Sequence, residues 1–441
     1  MKGLDICEKA VAFCENHGVQ AEVLSIERKE IIVILERNDI KLCIKQNTAG
    51  IGIRTLIRNS VGFSSCNSLE EGKVMKAARR AIRMSKNTPP VPYSVLASPA
   101  PLPAIAGLYD PEALNFDEER AIHTAEKMIT AAREDPRVSV DTGEFAAVLR
   151  EKAICTSPGI SAVEKKSMFS WFLLGMALER HEVGSFEYQY GCTTQVGEVH
   201  VEKTARTLAE HAVANLHPKK IAPFSGDVIL GPEAVLEVLC DPVVFSLNAN
   251  NVYRGQSQLT EKHNCKIASP LMTIADNAVV PGDFSSSAFD REGTPHQTLT
   301  MVRKGVLESF MYDSLAASRE NRSSTGNAAG SVREIPRIGI TNFMIKNTSH
   351  SLETLIEETE RGLLVPRFSG TSDEISGDFS GAVKGAQLIR SGEIQHPVKE
   401  AVISGNVFEI LPTIEDISKE TLRYSRMVLP YVKIPGMQII A

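Results

Sequence analysis

Ten histidines and 54 acidic residues give this 441-residue chain many possible metal donors, so their spacing is the first thing to test. His181-Glu182, in LERHEVGSFEY, opens as a zinc-peptidase helix opens, but position 185 is Ser where the second histidine would stand. Gly184 and the alternating aromatics around it read instead as a bend into a strand, with the pair at a solvated strand end. His200, His211 and His217 sit on or beside a helix without a carboxylate-histidine constellation and read as surface residues. Asp276, Asp283 and Asp290 run through a turn-rich segment, where they could share a hard cation or cap turns. Metal-assisted peptide hydrolysis needs about three fixed ligands, an open coordination position and a carboxylate for the proton of the attacking water. No single stretch supplies that set. Neither GxGxxG nor GxxxxGK[ST] is present, and there is no GxSxG elbow or local cysteine-protease signature.

Composition narrows the class further. The formal net charge of -6 is spread over interspersed acidic and basic residues, which disfavours direct nucleic-acid binding. Asp5 and Glu8 interrupt the first apolar turns, and no run of about 18 apolar residues follows, so neither a secretory leader nor a membrane span is expected. The eight cysteines, Cys7, Cys14, Cys43, Cys66, Cys155, Cys192, Cys240 and Cys265, form no CxxC pair and read as reduced thiols of a cytoplasmic protein.

The elements that would position any site follow from periodicity. Helical spacing predicts a helix over residues 4 to 17, stopped by Gly18, and another over about 70 to 85 with Val74, Ala77, Ala78, Ala81 and Ile82 on one stripe. Between them lie short β-rich runs at 22 to 28, 30 to 36 and 40 to 46, with a turn at Asn38-Asp39, and a further strand at IGIRTLIR. The proline-rich stretch 88 to 103 reads as an extended surface excursion. A helix near 117 to 133, strands around 138 to 155, 161 to 180 and 184 to 193, and a helix near 199 to 216 complete the first half. HPKKIAPFSG, residues 217 to 226, is the expected boundary, which gives an N-terminal α+β domain at 1 to 220 and a C-terminal β-rich domain at 221 to 441. The second half opens with a strand, a Gly-Pro turn with Pro232 near the first helical position, and a helix. The fold class is α+β with a mixed sheet bordered by helices in the first half.

Specific segments then carry a resemblance. DVILGPEAVLEVL at 227 to 239, SPLMTIADNAVVPG at 269 to 282, FDREGTPHQTLTMVRKGVLESFMYDSLAASR at 289 to 319, STGNAAG at 324 to 330 and SGDFSGAVKGAQLIRSGEIQHPVKEAVISGN at 376 to 406 stand in one order with the closing IPGMQIIA. Together with GIGIRTLIRNSVGFSSCNSLEEGKVMKAARRAI in the first half, they make the chain similar to the TldD/PmbA family from end to end.

That resemblance implies a site and its loss. Competent relatives carry HExxxH after the GPEA turn, a further cysteine ligand near the C-terminus, and zinc. Here the matching positions are Cys240, Asp241, Pro242, Val243, Val244 and Phe245, and the last cysteine is Cys265. Phe245 has no lone pair, and Asp241 is one methylene shorter than Glu. The pattern resembles the PmbA-like, or TldE-like, half of the family, which implies no cofactor and no catalysis by this chain alone. It further implies a homodimer or a heterodimer with a TldD-like metal-bearing subunit, and a peptide or unstructured protein as substrate. Peptide-cleft candidates are Arg254 and Ser257, just after the altered motif, and Thr325, Gly326 and Asn327. Two alternatives stand beside this reading. One is a metallopeptidase with an altered site that includes Cys240 and His263 or His296. The other is a modulator of gyrase-related machinery without direct DNA binding.

Overall fold

The computed structural model describes residues 2–440 and comprises two α+β halves, each built on its own large sheet. The first half runs α1 (Lys2–Glu15), β1 (Gln20–Glu36), β2 (Asp39–Ile57), β3 (Ser60–Cys66), α2 (Glu71–Asn87), α3 (Glu118–Ala132), β4 (Val138–Thr156), β5 (Ser161–Glu179), β6 (Glu182–Val183), β7 (Glu187–Thr193) and α4 (Val201–Ala214). Its strands form one antiparallel sheet in the order β3-β2-β1-β4-β5, with β6 and β7 both pairing with β5. Residues 22 to 36, expected as two strands, are one. Arg28, Lys29 and Glu30 look like a polar break in sequence, but each keeps its partner on both neighbouring strands, so the ladder passes through them. The hairpin turn falls at Arg37 and Asn38, both at positive φ.

One face of this sheet carries two separate helix-covered cores. α1 and α2 cover Val23, Ile51, Ile53 and Cys155, while α3 and α4 cover Val33, Phe145, Phe169 and Trp171. α2 buries the expected stripe of Val74, Ala77, Ala78, Ala81 and Ile82. Its small residues permit a close approach to β3, where a Cβ on Gly62 would stand 2.1 Å from the carbonyl oxygen of Ala81. α3 starts on Asp117, whose carboxylate accepts from the Arg120 N–H at 2.9 Å and satisfies one of the free amides of the first turn. Residues 88 to 103 contain neither helix nor strand, as their prolines require.

The other face docks onto the second half. Strand alternation brings Glu22 and Leu24 of β1, Arg150, Lys152 and Ile154 of β4, and Glu164 and Lys166 of β5 to this side. Leu24 and Ile154 pack with Phe289 from a second-half loop. Beside them Glu22, fully buried, accepts from both Arg54 and Arg291, the latter at 2.9 Å, and Arg54 also meets Glu292 at 2.8 Å. A dry four-residue ion network therefore ties the two halves together.

In the second half β8 (Phe224–Leu230) lies centrally, antiparallel to Met427–Ile440 and parallel to Arg361–Val365. Gly231 and Pro232 turn the chain from β8 into α5 (Pro232–Val235). The helix continues through a π-helical turn at Leu236–Cys240 into α6 (Asp241–Ser246). Val235, Val238, Leu239, Cys240 and Val243 bury this segment in the main core of the half. Among the described residues, no helix is long and apolar enough to cross a membrane.

Candidate functional site

The helix that follows β8 has two chemically different sides. Cys240, 1% exposed, faces the core, where burial holds its thiol pKa far above the ordinary value. Glu233, Glu237 and Asp241, spaced by four residues, face outward into a cleft of about 970 Å³. Ser185 and Phe186, from the first half, form part of the opposite wall, and the segment from Arg367 to Ser372 and Lys384 close it. Phe245 is half-buried and stands outside the main core cluster, so it is not the tightly packed residue that its place in the motif suggests.

Arg367 at the cleft wall is joined to Glu187 and His211 behind it. His211 Nδ1 lies 3.2 Å from Glu187 Oε1, and Glu187 Oε2 lies 3.8 Å from Arg367 Nε. Arg367 Nη2 donates to Ser185 Oγ at 3.1 Å, which fixes the guanidinium across the junction of the halves. Glu237 accepts from the Phe368 amide at 2.8 Å. Burial, reinforced by the charges of Glu237 and Glu187 and only partly offset by Arg367, pushes the Glu233 carboxyl up to about 8. Burial likewise raises Glu237. At neutral pH Glu233 is thus largely a neutral hydrogen-bond donor inside an otherwise open polar cleft.

Zinc, which the resemblance implies for competent relatives, does not fit this donor set. The thiol of Cys240 points away from the cleft, Phe245 offers no donor, and Asp241 stands alone of the three at the cleft wall. Among the described residues, no group of three or more His, Cys, Asp and Glu side chains is arranged to hold a metal ion. His263 is exposed, with Nε2 2.9 Å from the Glu308 carbonyl oxygen, and His296 is buried, its pKa driven down to about 3 by loss of solvent. Neither completes a ligand set with Cys240.

None of the five peptide-cleft candidates lines this cleft. Arg254 is exposed at the end of the short helix Ala249–Tyr253. Ser257 is buried, donating to the Ser246 carbonyl at 2.7 Å and accepting from the Leu259 amide. Thr325 Oγ1 donates to Asn327 Oδ1 at 2.6 Å, and Asn327 Nδ2 donates to the buried Asp276 at 2.7 Å. Gly326 has φ +76, and a Cβ there would lie 2.6 Å from the Pro295 carbonyl oxygen, so this loop is built around a glycine. The three aspartates of the turn-rich segment cap local structure. Asp276 accepts from the amides of Thr341 and Asn342, Asp283 pairs with Arg423, and Asp290 accepts from the amides of Glu292, Thr294 and Ala328. His181-Glu182 is a strand-end pair, and Glu182 contacts His217 Nδ1 at 2.5 Å.

Sequence reasoning missed Glu233, Glu237 and Arg367. The i, i+4, i+8 spacing of Glu233, Glu237 and Asp241 is visible in the chain, but it looks like any solvated helix face until Arg367 and Glu187 are brought against it.

Sequence profiles match three stretches: PmbA/TldA metallopeptidase domain 1 at residues 21–85, the central domain at 109–216 and the C-terminal domain at 224–441. The first two share the first sheet. An uncharacterized protein of Methanocaldococcus jannaschii is 29% identical over 429 residues, covering 97% of this chain and 98% of that protein. Metalloprotease PmbA of Escherichia coli O157:H7 is 24% identical over 430 residues, covering 94% of this chain and 92% of its own. The solved structure of TldE from Thermococcus kodakarensis matches with a TM-score of 0.91 at 22% identity over 100% of both chains, so the fold is shared. With matched domains in family order and a motif helix that lacks the metal donors, the chain belongs to the TldD/PmbA metallopeptidase family as a PmbA-like member.

Proposed function

We propose that this protein is a non-catalytic subunit that captures extended peptide for a metal-bearing TldD-like partner. The observation that carries the reading is the two-sided motif helix. Its former ligand position Cys240 is sealed in the core, while Glu233, Glu237 and Asp241 keep an open cleft polar. A subunit kept only for structure would gain by filling that volume with apolar side chains. Instead, a neutral Glu233 and the Arg367 guanidinium offer hydrogen-bond donors to peptide carbonyls, and Glu237 and Asp241 offer acceptors to amides. The edge strands of the second sheet give a partner subunit a surface to cover. Boundaries at 1 to 220 and 221 to 441 place the cleft at the domain junction.

Fluorescence anisotropy with a labelled unstructured peptide, on protein purified without a histidine tag, tests the capture role. Ser369 is exposed at the cleft wall, so Ser369→Trp should obstruct entry and weaken binding about tenfold, equivalent to about 1.4 kcal/mol. Sedimentation with and without a candidate TldD-like subunit tests assembly. Near-stoichiometric zinc together with chelator-sensitive peptidase activity in the isolated chain would replace this reading with that of an altered metallopeptidase.

A further inference from the structure

A second cavity, of about 290 Å³, opens where the first sheet meets the loops of the second half. It is lined by Arg150 and Lys152 of β4, Lys166 of β5, and Arg426 from the second half, besides Asp290 and His296. Strand period places the three first-half cations on one face, with Lys152 and Lys166 buried.

Their partners leave positive charge unanswered. Lys152 Nζ donates to Ser287 Oγ and to the Phe289 carbonyl, each at 2.7 Å, with Glu164 Oε1 at 3.8 Å. Lys166 Nζ is held by two carbonyl oxygens, those of Asp283 and Ser286. Arg150 shares Glu164 at 3.1 Å, and its buried Nε has no partner among the described residues. Among the described residues, the Arg426 side chain makes one hydrogen bond, to the Ile340 carbonyl at 3.4 Å. Neither Lys166 nor Arg426 has an ion-pair partner within 4.0 Å among the described residues. Arg291, also at the wall, is already paired with Glu22.

Glu164 pairs with two of these four cations, Arg150 and Lys152, and Asp283, whose charge also acts on Lys166, is already paired with Arg423. Asp290 adds little negative charge, because burial and the neighbouring Glu292 push its carboxyl up to about 8. Burial holds Lys152 down at about 8 and Lys166 at about 7, and the nearby Arg150 adds to both shifts, so near neutral pH Lys166 is only partly protonated and an arriving anion would favour its charged form. Sites that concentrate uncompensated cations in a recess suit an oxyanion, which supplies the missing charge and accepts the free N–H groups.

We propose that this cavity is an oxyanion-binding site in which Lys152, Lys166, Arg150 and Arg426 grip a carboxylate or phosphate group. The volume is near the lower end for ligand pockets and suits a charged terminus with one or two residues rather than a large cofactor. In the capture role proposed above, the source is the C-terminal carboxylate of a peptide. That source rests on the capture reading, whereas the anion chemistry does not.

Titration calorimetry on the full chain separates the two. The probes are inorganic phosphate, a tripeptide with a free C-terminal carboxylate, and the same tripeptide amidated. The expected result is carboxylate tripeptide binding at least tenfold tighter than the amide, lost by about tenfold in Lys166→Met and in Arg426→Gln. Arg426 is exposed, so its variant keeps the test valid if the buried Lys166→Met fails to fold. Phosphate binding that falls in Arg426→Gln, with no preference between the tripeptides, would support the anion site and assign it to a free oxyanion. Tripeptide binding indifferent to Arg426→Gln, or no response to any anion in the folded wild type, would overturn the proposal. Ser369→Trp should leave phosphate binding unchanged, so failure of the capture reading is read out separately.

Discussion

Glu233→Gln isolates the electrostatics of the motif-helix cleft. The Glu233 carboxyl has its pKa raised from 4.5 to about 8, first by burial and then by Glu237 and Glu187. A carboxyl whose pKa is raised by folding binds its proton more tightly in the native state. Its stabilising contribution is complete below pH 4.5 and is lost as pH climbs through about 8. At about 1.4 kcal/mol per pH unit, the full displacement would correspond to about 5 kcal/mol. The cleft is open to water, and screening there reduces the figure to about 2 kcal/mol. Gln mimics the protonated acid and does not titrate. The variant should match wild type near pH 5 and exceed it near pH 8.5 by about 2 kcal/mol, or about 4 to 8 °C in Tm for a domain of this size. Scanning calorimetry of both proteins across that range is the assay. Asp290 and Asp313 also titrate from raised positions, but they are present in both proteins and cancel in the difference. A Tm difference that does not change with pH would refute the assignment of a buried, protonated Glu233.

Other perturbations test the frame around the cleft. Glu22→Gln leaves Arg54 and Arg291 without their shared carboxylate and should destabilise the docked halves by about 3 to 5 kcal/mol, seen as a lower midpoint in urea. Cys265 is exposed, whereas Cys7, Cys14, Cys155 and Cys240 are buried, so mass spectrometry after brief alkylation should find Cys265 modified and those four protected until unfolding. The triple change C240H, D241E and F245H restores the HExxxH letters yet should give weak zinc binding at most in calorimetry and no casein cleavage. Its loss of thermal stability, of about 3 kcal/mol, should come chiefly from the imidazole forced into the core at Cys240, because Phe245 is only half-buried.

Most of the first half was legible because its elements are long and locally consistent. The stripe Val74, Ala77, Ala78, Ala81 and Ile82 can be satisfied only by a helix, and the observed α2 buries all five. The failure at residues 28 to 30 has a definite cause. Those residues pair on both edges, and a backbone ladder tolerates polar side chains wherever one sheet face can reach solvent or an ion pair. Arg28 and Glu30 make such a pair at 2.9 Å. Local polarity signals a strand end only when the partner strands end there too, and that is a long-range fact.

The same limit explains why neither cleft could be read in advance. Arg150, Lys152, Glu164 and Lys166 alternate along two strands in a way indistinguishable from an ordinary solvated face, and only the docking of the second half turns that face inward. Glu233, Glu237 and Asp241 form the complementary case, a helix face that looks solvated and is, but only on the floor of a cleft whose far wall lies some 50 residues upstream. The resemblance directs attention to Cys240, Asp241 and Phe245 because it implies the HExxxH motif at those positions. With Cys240 in the core, the side of this helix that can meet a ligand is the one facing the cleft, and it begins about two turns earlier, at Glu233. The burial of Cys240 and the polarity of the cleft are thus independent facts about opposite faces of one helix, and only the second bears on what the protein can hold.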